Sequence, residues 1–232
     1  MEKILLVAIA LSSTAAAAQN DATVLPRHDH NLWNLIMTKD GANLVHKASG
    51  AVCPGNFRDL KLTGMKDYVK DGTNSSCQFE KNTKDGLTRM TLYFYTHPSL
   101  SSPAAFKSAK NAIFEKSKIT AVKITEKREE GQKCFQSFVP NLATSILERN
   151  KKDNPGQKTD LLQLGVAMFN YDIPKTASGP AHSETSLLSV YQTGKWIVKA
   201  RVNLPAGETS GVDACRYAAF ANIGEASMIS RK

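Results

Sequence analysis

The chain has 232 residues, 41% of them hydrophobic and 22% charged, with a formal net charge of +9 at pH 7. That balance excludes a disordered polymer, which is poor in apolar residues, and a polytopic membrane protein, which needs repeated apolar runs of about 20 residues. It leaves room for one domain with a sizeable core.

Lys3 precedes an apolar run, Ile4–Leu11, which leads through Ser12-Ser13-Thr14 to alanines at 15–18. The run is too short to span a bilayer, and Ala16 and Ala18 satisfy the small-x-small cleavage rule. Residues 1–18 are therefore expected to be a signal peptide, with a mature chain from Gln19 in a periplasm or outside the cell. No cysteine marks the cleavage point, so a lipid anchor is not expected, and no later segment approaches membrane-spanning length. Cleavage removes one lysine and one glutamate and leaves the charge at +9. A surplus of this size attracts polyanions. Nucleic acid is rarely met in that compartment, so the expected partners are an anionic surface component or another envelope protein. The plainer reading is a solvated basic surface, because the cations are scattered and form no long block.

Residues 19–41 are set apart as a flexible mature N-terminus; its polar part, 19–32, carries Pro26, His28 and His30. Residues 42–232 are read as a single α+β domain. Asn43–Val52 alternates like a strand before the turn Cys53-Pro54-Gly55-Asn56. Phe57–Leu62 and Lys66–Lys70 are short strand candidates. Asp71-Gly72 and Lys84-Asp85-Gly86 are hairpin turns. Thr88–Thr96 puts Met90, Leu92 and Phe94 on one face and Arg89, Thr91, Tyr93 and Tyr95 on the other. Ser102-Pro103 is a helix start, with Phe106, Ala109 and Ile113 at helical spacing. Ile119–Glu129 reads as extended and Cys134–Val139 as a further apolar strand. Leu142–Arg149 is a short element, and Asn150–Lys158 a loop. Asp160–Ile173 is a long strand, and Pro174–His182 a mobile loop. Ser183–Gln192 and Lys195–Leu204 form a hairpin around Thr193-Gly194, and Ile197, Lys199, Arg201 and Asn203 share one face of its second strand. A last helix is capped at Thr209 or Ser210, with Val212, Cys215, Ala219, Ile223 and Ala226 as its apolar stripe.

The four cysteines are Cys53, Cys77, Cys134 and Cys215. In an oxidising compartment an even count favours disulfides, and four cysteines allow three pairings. Cys53–Cys77 is favoured because hairpins between them bring the ends together, which leaves Cys134–Cys215. No Cys-x-x-Cys exists for redox chemistry, and no cysteine has a close ligand neighbour for zinc.

The element order resembles the PsbP/Mog1-like α/β/α sandwich. The pieces that carry the likeness are Cys53-Pro54, the Cys77–Tyr95 stretch ending Thr91-Leu92-Tyr93-Phe94-Tyr95, and Lys195-Trp196-Ile197-Val198-Lys199-Ala200-Arg201. They also look like exported proteobacterial proteins of unknown function, and the likeness covers about 42–230. It implies an antiparallel sheet with flanking helices and an accessory or binding role without a catalytic site.

Sites are few. His28-Asp29-His30 is the one tight cluster of metal-type ligands, in a stretch read as a solvated tail. His46 reads as a satisfied strand histidine and His97-Pro98 as a turn. In His182-Ser183-Glu184, strand neighbours face opposite ways and make no triad. There is no Gly-x-Ser-x-Gly, no Gly-rich phosphate loop and no His-Glu-x-x-His, and no cofactor is expected. Asn74-Ser75-Ser76 matches a glycosylation sequon, relevant only in a eukaryotic secretory host. Arg89, Lys199 and Arg201, with Tyr93 and Tyr95, are the candidate anion-binding sheet face. The functional expectation is a non-enzymatic binding or accessory module. The alternative is an exported hydrolase assembled only in three dimensions.

Overall fold

The computed structural model describes residues 25–39, 41–97, 101–120, 122–137, 140, 165–176 and 179–229. The expected signal peptide, the element at 142–149 and the loop at 150–158 lie outside the described residues.

Two antiparallel sheets carry the chain. The smaller has the order β1 (Trp33–Thr38), β2 (Gly41–His46), β3 (Val52–Pro54). The larger uses β4 (Asn56–Phe57), β5 (Leu60–Asp67), β6 (Asn74–Thr83), β7 (Gly86–Thr96), β8 (Lys123–Glu126), β9 (Gly165–Ile173), β10 (His182–Thr193) and β11 (Trp196–Pro205). Its order is β4-β5-β6-β7-β11-β10-β9-β8. The helices are α1 (Ser102–Thr120), α2 (128–137) and α3 (Ser210–Ile229). The α+β expectation, an antiparallel sheet with flanking helices, is the fold observed.

The turn residues do what their chemistry demands. Thr83 pairs with Gly86 across Lys84-Asp85, and Thr193 pairs with Trp196 across Gly194-Lys195. Asp71 opens the β5–β6 connection by accepting the Thr73 N–H at 2.9 Å, an Asx-turn. Gly72 follows with φ +72°, and a methyl there would sit 2.8 Å from Nε2 of His46. Gly72→Ala is expected to destabilise by about 1–3 kcal/mol, from backbone strain and the clash together. Thermal unfolding measures it.

Alternation in the central strands divides two cores. Met90, Leu92 and Phe94 of β7, and Val198, Ala200 and Val202 of β11, join Cys77 and Phe79 on one face. The small sheet and α3 close that face with Trp33, Leu44, Ala214 and Ala218. The opposite face buries Phe169, Tyr171, Leu188, Val190 and Ile197 against Ala105 and Ile113 of α1. The helix lies so close that a methyl on Gly165 would enter the Phe106 ring. It packs mainly on β8, β9 and β10, with Ile197 of β11 and Tyr95 of β7 joining the same cluster. On that face, β5, β6 and β7 have no described helix over them.

Two disulfides form, Cys53–Cys77 with Cα atoms 6.1 Å apart and Cys134–Cys215 with Cα atoms 5.7 Å apart. They fit an oxidising compartment. Among the described residues no helix is long and apolar enough to cross a membrane.

Four expectations are corrected. Trp33–Thr38 fell within the N-terminus read as flexible, yet it is strand β1, anchored by the buried Trp33. Asn43–Val52 is not one strand: β2 ends at His46, and a turn through Gly50 (φ +76°) reverses the chain into β3. Cys134 stands on a helix rather than a strand. The extended stretch ends at Glu126, and Glu129 and Glu130 lie in the first turn of α2, where a helix favours negative charge. Finally, α3 turns Ala214, Ala218 and Ala221 inward and leaves Val212 62% exposed. Small residues let the helix lie close to the sheet, and the larger Val212 was the wrong guide.

Candidate anion-binding sheet face

The part of the large sheet with no described helix over it is ordered by register. One cross-strand row runs Lys66–Ser76–Tyr93–Lys199, and the next runs Gly64–Gln78–Thr91–Arg201. A third carries Glu80, Arg89, Asn203 and Ser186. Because directly paired residues share a face, the pleat itself gathers these side chains. Arg89, Lys199 and Arg201 therefore do stand on one face.

Their electrostatic states differ. Arg89 gives its Nε–H to Glu80 at 2.6 Å, and Glu80 also accepts from Gln78 at 2.9 Å. Arg89 is thus neutralised locally. Lys199 lies half-buried with Nζ 4.0 Å from the centre of the Tyr93 ring. Burial, and then the neighbouring Arg201, push its ammonium below the usual lysine range. Arg201 donates through Nη2 to the Tyr171 hydroxyl at 3.1 Å, and its buried Nε has no hydrogen-bond partner. Among the described residues neither Lys199 nor Arg201 forms an ion pair with a carboxylate.

Tyrosines frame the two cations. Tyr68 stacks on Tyr93 with ring centres 6.5 Å apart, and its hydroxyl lies 3.4 Å from that of Ser76. Lys66 covers the Tyr68 ring at 4.8 Å. Burial raises the phenol values of Tyr93 and Tyr171, so both stay neutral at physiological pH. Directly across from Tyr171, Glu184 accepts from Asn203 at 3.1 Å, and Asn203 accepts from Ser186 at 3.0 Å. Sequence reading named the three cations but missed Lys66 and Tyr68. The Leu62/Gly64 bulge in β5 shifts their register, and no sequence alternation reveals it.

The histidines are placed as follows. His46 is fully buried, and its Nδ1 accepts from the Ser49 N–H at 3.2 Å and lies 2.8 Å from the Ser49 hydroxyl. The rings of His28 and His30 meet with centres 4.6 Å apart. Nδ1 of His28 faces the Pro26 carbonyl at 3.1 Å. His182 lies 3.6 Å from Glu184, whereas Ser183 turns to Asp172 at 2.9 Å. Among the described residues no group of three or more potential ligands converges to hold a metal.

A separate groove of about 740 Å³ lies between the β6–β7 hairpin and the start of α3. Within it Asp59 accepts from Lys81 and from the Tyr217 hydroxyl, each at 2.7 Å. The Lys81 and Tyr217 bonds hold the Asp59 carboxyl below its usual range.

Compared with known protein families, with curated proteins and with solved structures, the chain matches none.

Proposed function

We propose that this protein is a non-enzymatic binding module of the cell envelope, exported to a periplasm or beyond, that holds an anionic surface component on the β5–β6–β7–β11 face. The observation that carries the reading is the pair Lys199 and Arg201, which share one face of β11 and, among the described residues, have no carboxylate counterion, with one guanidinium N–H buried and unused. A buried unsatisfied donor costs about 1–3 kcal/mol. A ligand oxyanion that displaces what covers this N–H satisfies it with a charge-assisted bond. The stacked tyrosines beside it suit the ring of a sugar acid better than a bare ion. The net charge of +9 draws polyanions toward the surface. The resemblance to PsbP/Mog1-like accessory proteins points the same way.

Calorimetry of the mature chain with polygalacturonate tests it. Lys199→Ala with Arg201→Ala is expected to weaken binding by about tenfold or more, since charge-assisted bonds contribute roughly 1.5–3 kcal/mol each. Arg89→Ala should change it little, because Glu80 already holds that cation. No binding by the wild type, or equal losses at all three cations, overturns the reading.

The pH dependence has a definite sign. Lys199 binds an anion only while protonated, and its value lies below the ordinary 10.5. Affinity should therefore fall as pH rises through a point below that of a free lysine. A decline confined to pH above about 10.4 would exclude Lys199 as the responsible group.

A further inference from the structure

We propose that β1 is a self-pairing edge, along which two copies of this chain join antiparallel about a two-fold axis at Ile36. The occupant is a second copy, and four observations select it.

The first is the state of the edges. The large sheet ends in β8, four residues with Lys123 and Glu126 at its ends, and in β4, two residues long. In the small sheet β3 has three residues and ends at Pro54. Short length, charge and proline all discourage edge pairing. Strand β1 has none of them: residues 31–38 carry no charge and no proline, and its pairing with β2 is regular. Among the described residues β2 is its one neighbour in the sheet.

The second is apolar exposure. Leu35, Ile36 and Met37 are 52%, 44% and 72% exposed and consecutive. They present apolar surface on both faces of the hairpin.

The third is backbone parity. The Lys47 N–H bonds the Leu32 carbonyl at 2.8 Å, and the register runs from Trp33↔His46 to Thr38↔Gly41. Bonded pairs alternate along an antiparallel ladder. Even-numbered residues therefore turn their backbone groups to β2, while Leu35 and Met37 turn theirs to the open edge. About Ile36, Leu35 of one copy bonds Met37 of the other, and the reverse, which completes a ladder.

The fourth is side-chain and charge complementarity in that register. Asn34 meets Thr38, Leu35 meets Met37, and Ile36 meets itself. Lys39, the nearest charge on that side, falls opposite Trp33 and not another cation. A chain of net charge +9 thus joins itself through a neutral segment. A junction of one six-residue strand from each copy is expected to be small, so the dimer is weak and concentration-dependent.

Sedimentation of the mature chain over a wide concentration range should show a monomer–dimer equilibrium. Ile36→Lys sets two ammonium groups face to face and should raise the dissociation constant by about tenfold or more. A second variant keeps the test independent of that substitution. All four cysteines are in disulfides, so Ile36→Cys adds a single reporter thiol. At a non-bonded pair the Cα atoms lie about 4.5 Å apart, within disulfide reach. Mild oxidation should give a covalent dimer, faster than for Thr63→Cys on the exposed side of β5. A wild type that stays monomeric, a dimer indifferent to Ile36→Lys, or equal cross-linking at both positions overturns the proposal. Polyanion binding should be the same for Ile36→Lys and wild type, so this test and that of the cationic face fail separately.

Discussion

Replacing Cys134 and Cys215 together by alanine should lower the unfolding free energy by about 4 kcal/mol, seen as an earlier urea midpoint. The bridge closes a loop with a sequence separation of 81. Restricting that loop in the unfolded chain is worth about 4.5 kcal/mol in the chain-entropy model. It also ties α2 to α3. Cys134 is buried, and Ser137 one turn on donates to the Cys134 carbonyl at 2.8 Å. Cys53 and Cys77 close a shorter loop, separation 24, worth about 3.5 kcal/mol. Both are completely buried, so their removal also loosens packing between the two sheets. Reduction of the wild type should reproduce the sum of the two losses in part. If the reduced protein unfolds at the same urea concentration as the oxidised one, the bridges do not hold the fold.

Trp33→Ala should cost about 3–5 kcal/mol, the range for a large buried ring. Trp33 is 1% exposed and packs edge-on against Phe94, with centres 5.6 Å apart, and against His46 at 4.8 Å. Its indole N–H lies 3.1 Å from the Asp67 carboxylate, which also accepts from Ser75 at 2.6 Å. One side chain thus joins the small sheet to β5, β6 and β7. Trp33→Phe keeps most of the burial and should cost less, about 1–2 kcal/mol for the lost bond. Urea unfolding of both variants separates packing from hydrogen bonding. Equal losses in the two would place the energy in the Asp67 contact.

Strands and turns were legible where local chemistry and burial agree. The β6–β7 and β10–β11 hairpins follow from Lys84-Asp85-Gly86 and Thr193-Gly194 flanked by alternating apolar residues. Helix α1 follows from Ser102-Pro103 and the spacing of Phe106, Ala109 and Ile113. β1 was not legible, because its anchor is tertiary. Asn34–Thr38 is exposed throughout, so burial gives no alternation to read, and only the packing of Trp33 fixes it. The Ala face of α3 was hidden for a related reason: hydrophobicity points to Val212, whereas closeness to the sheet selects alanine.

The sequence by itself determined that Arg89, Lys199 and Arg201 lie on the sides of their strands away from Met90 and Val198, because side chains alternate with a period of two. It also narrowed four cysteines to a favoured pairing, which is the one formed. It did not determine which cations keep their charge available. That was decided by register, which sets Glu80 against Arg89 and leaves Lys199 on Tyr93 and Arg201 on Tyr171. It was decided too by α1, whose contacts concentrate on β8 to β10. Pleat direction is a local property of the backbone, whereas a counterion is supplied by another strand. The availability of a charge is therefore written only in the tertiary structure.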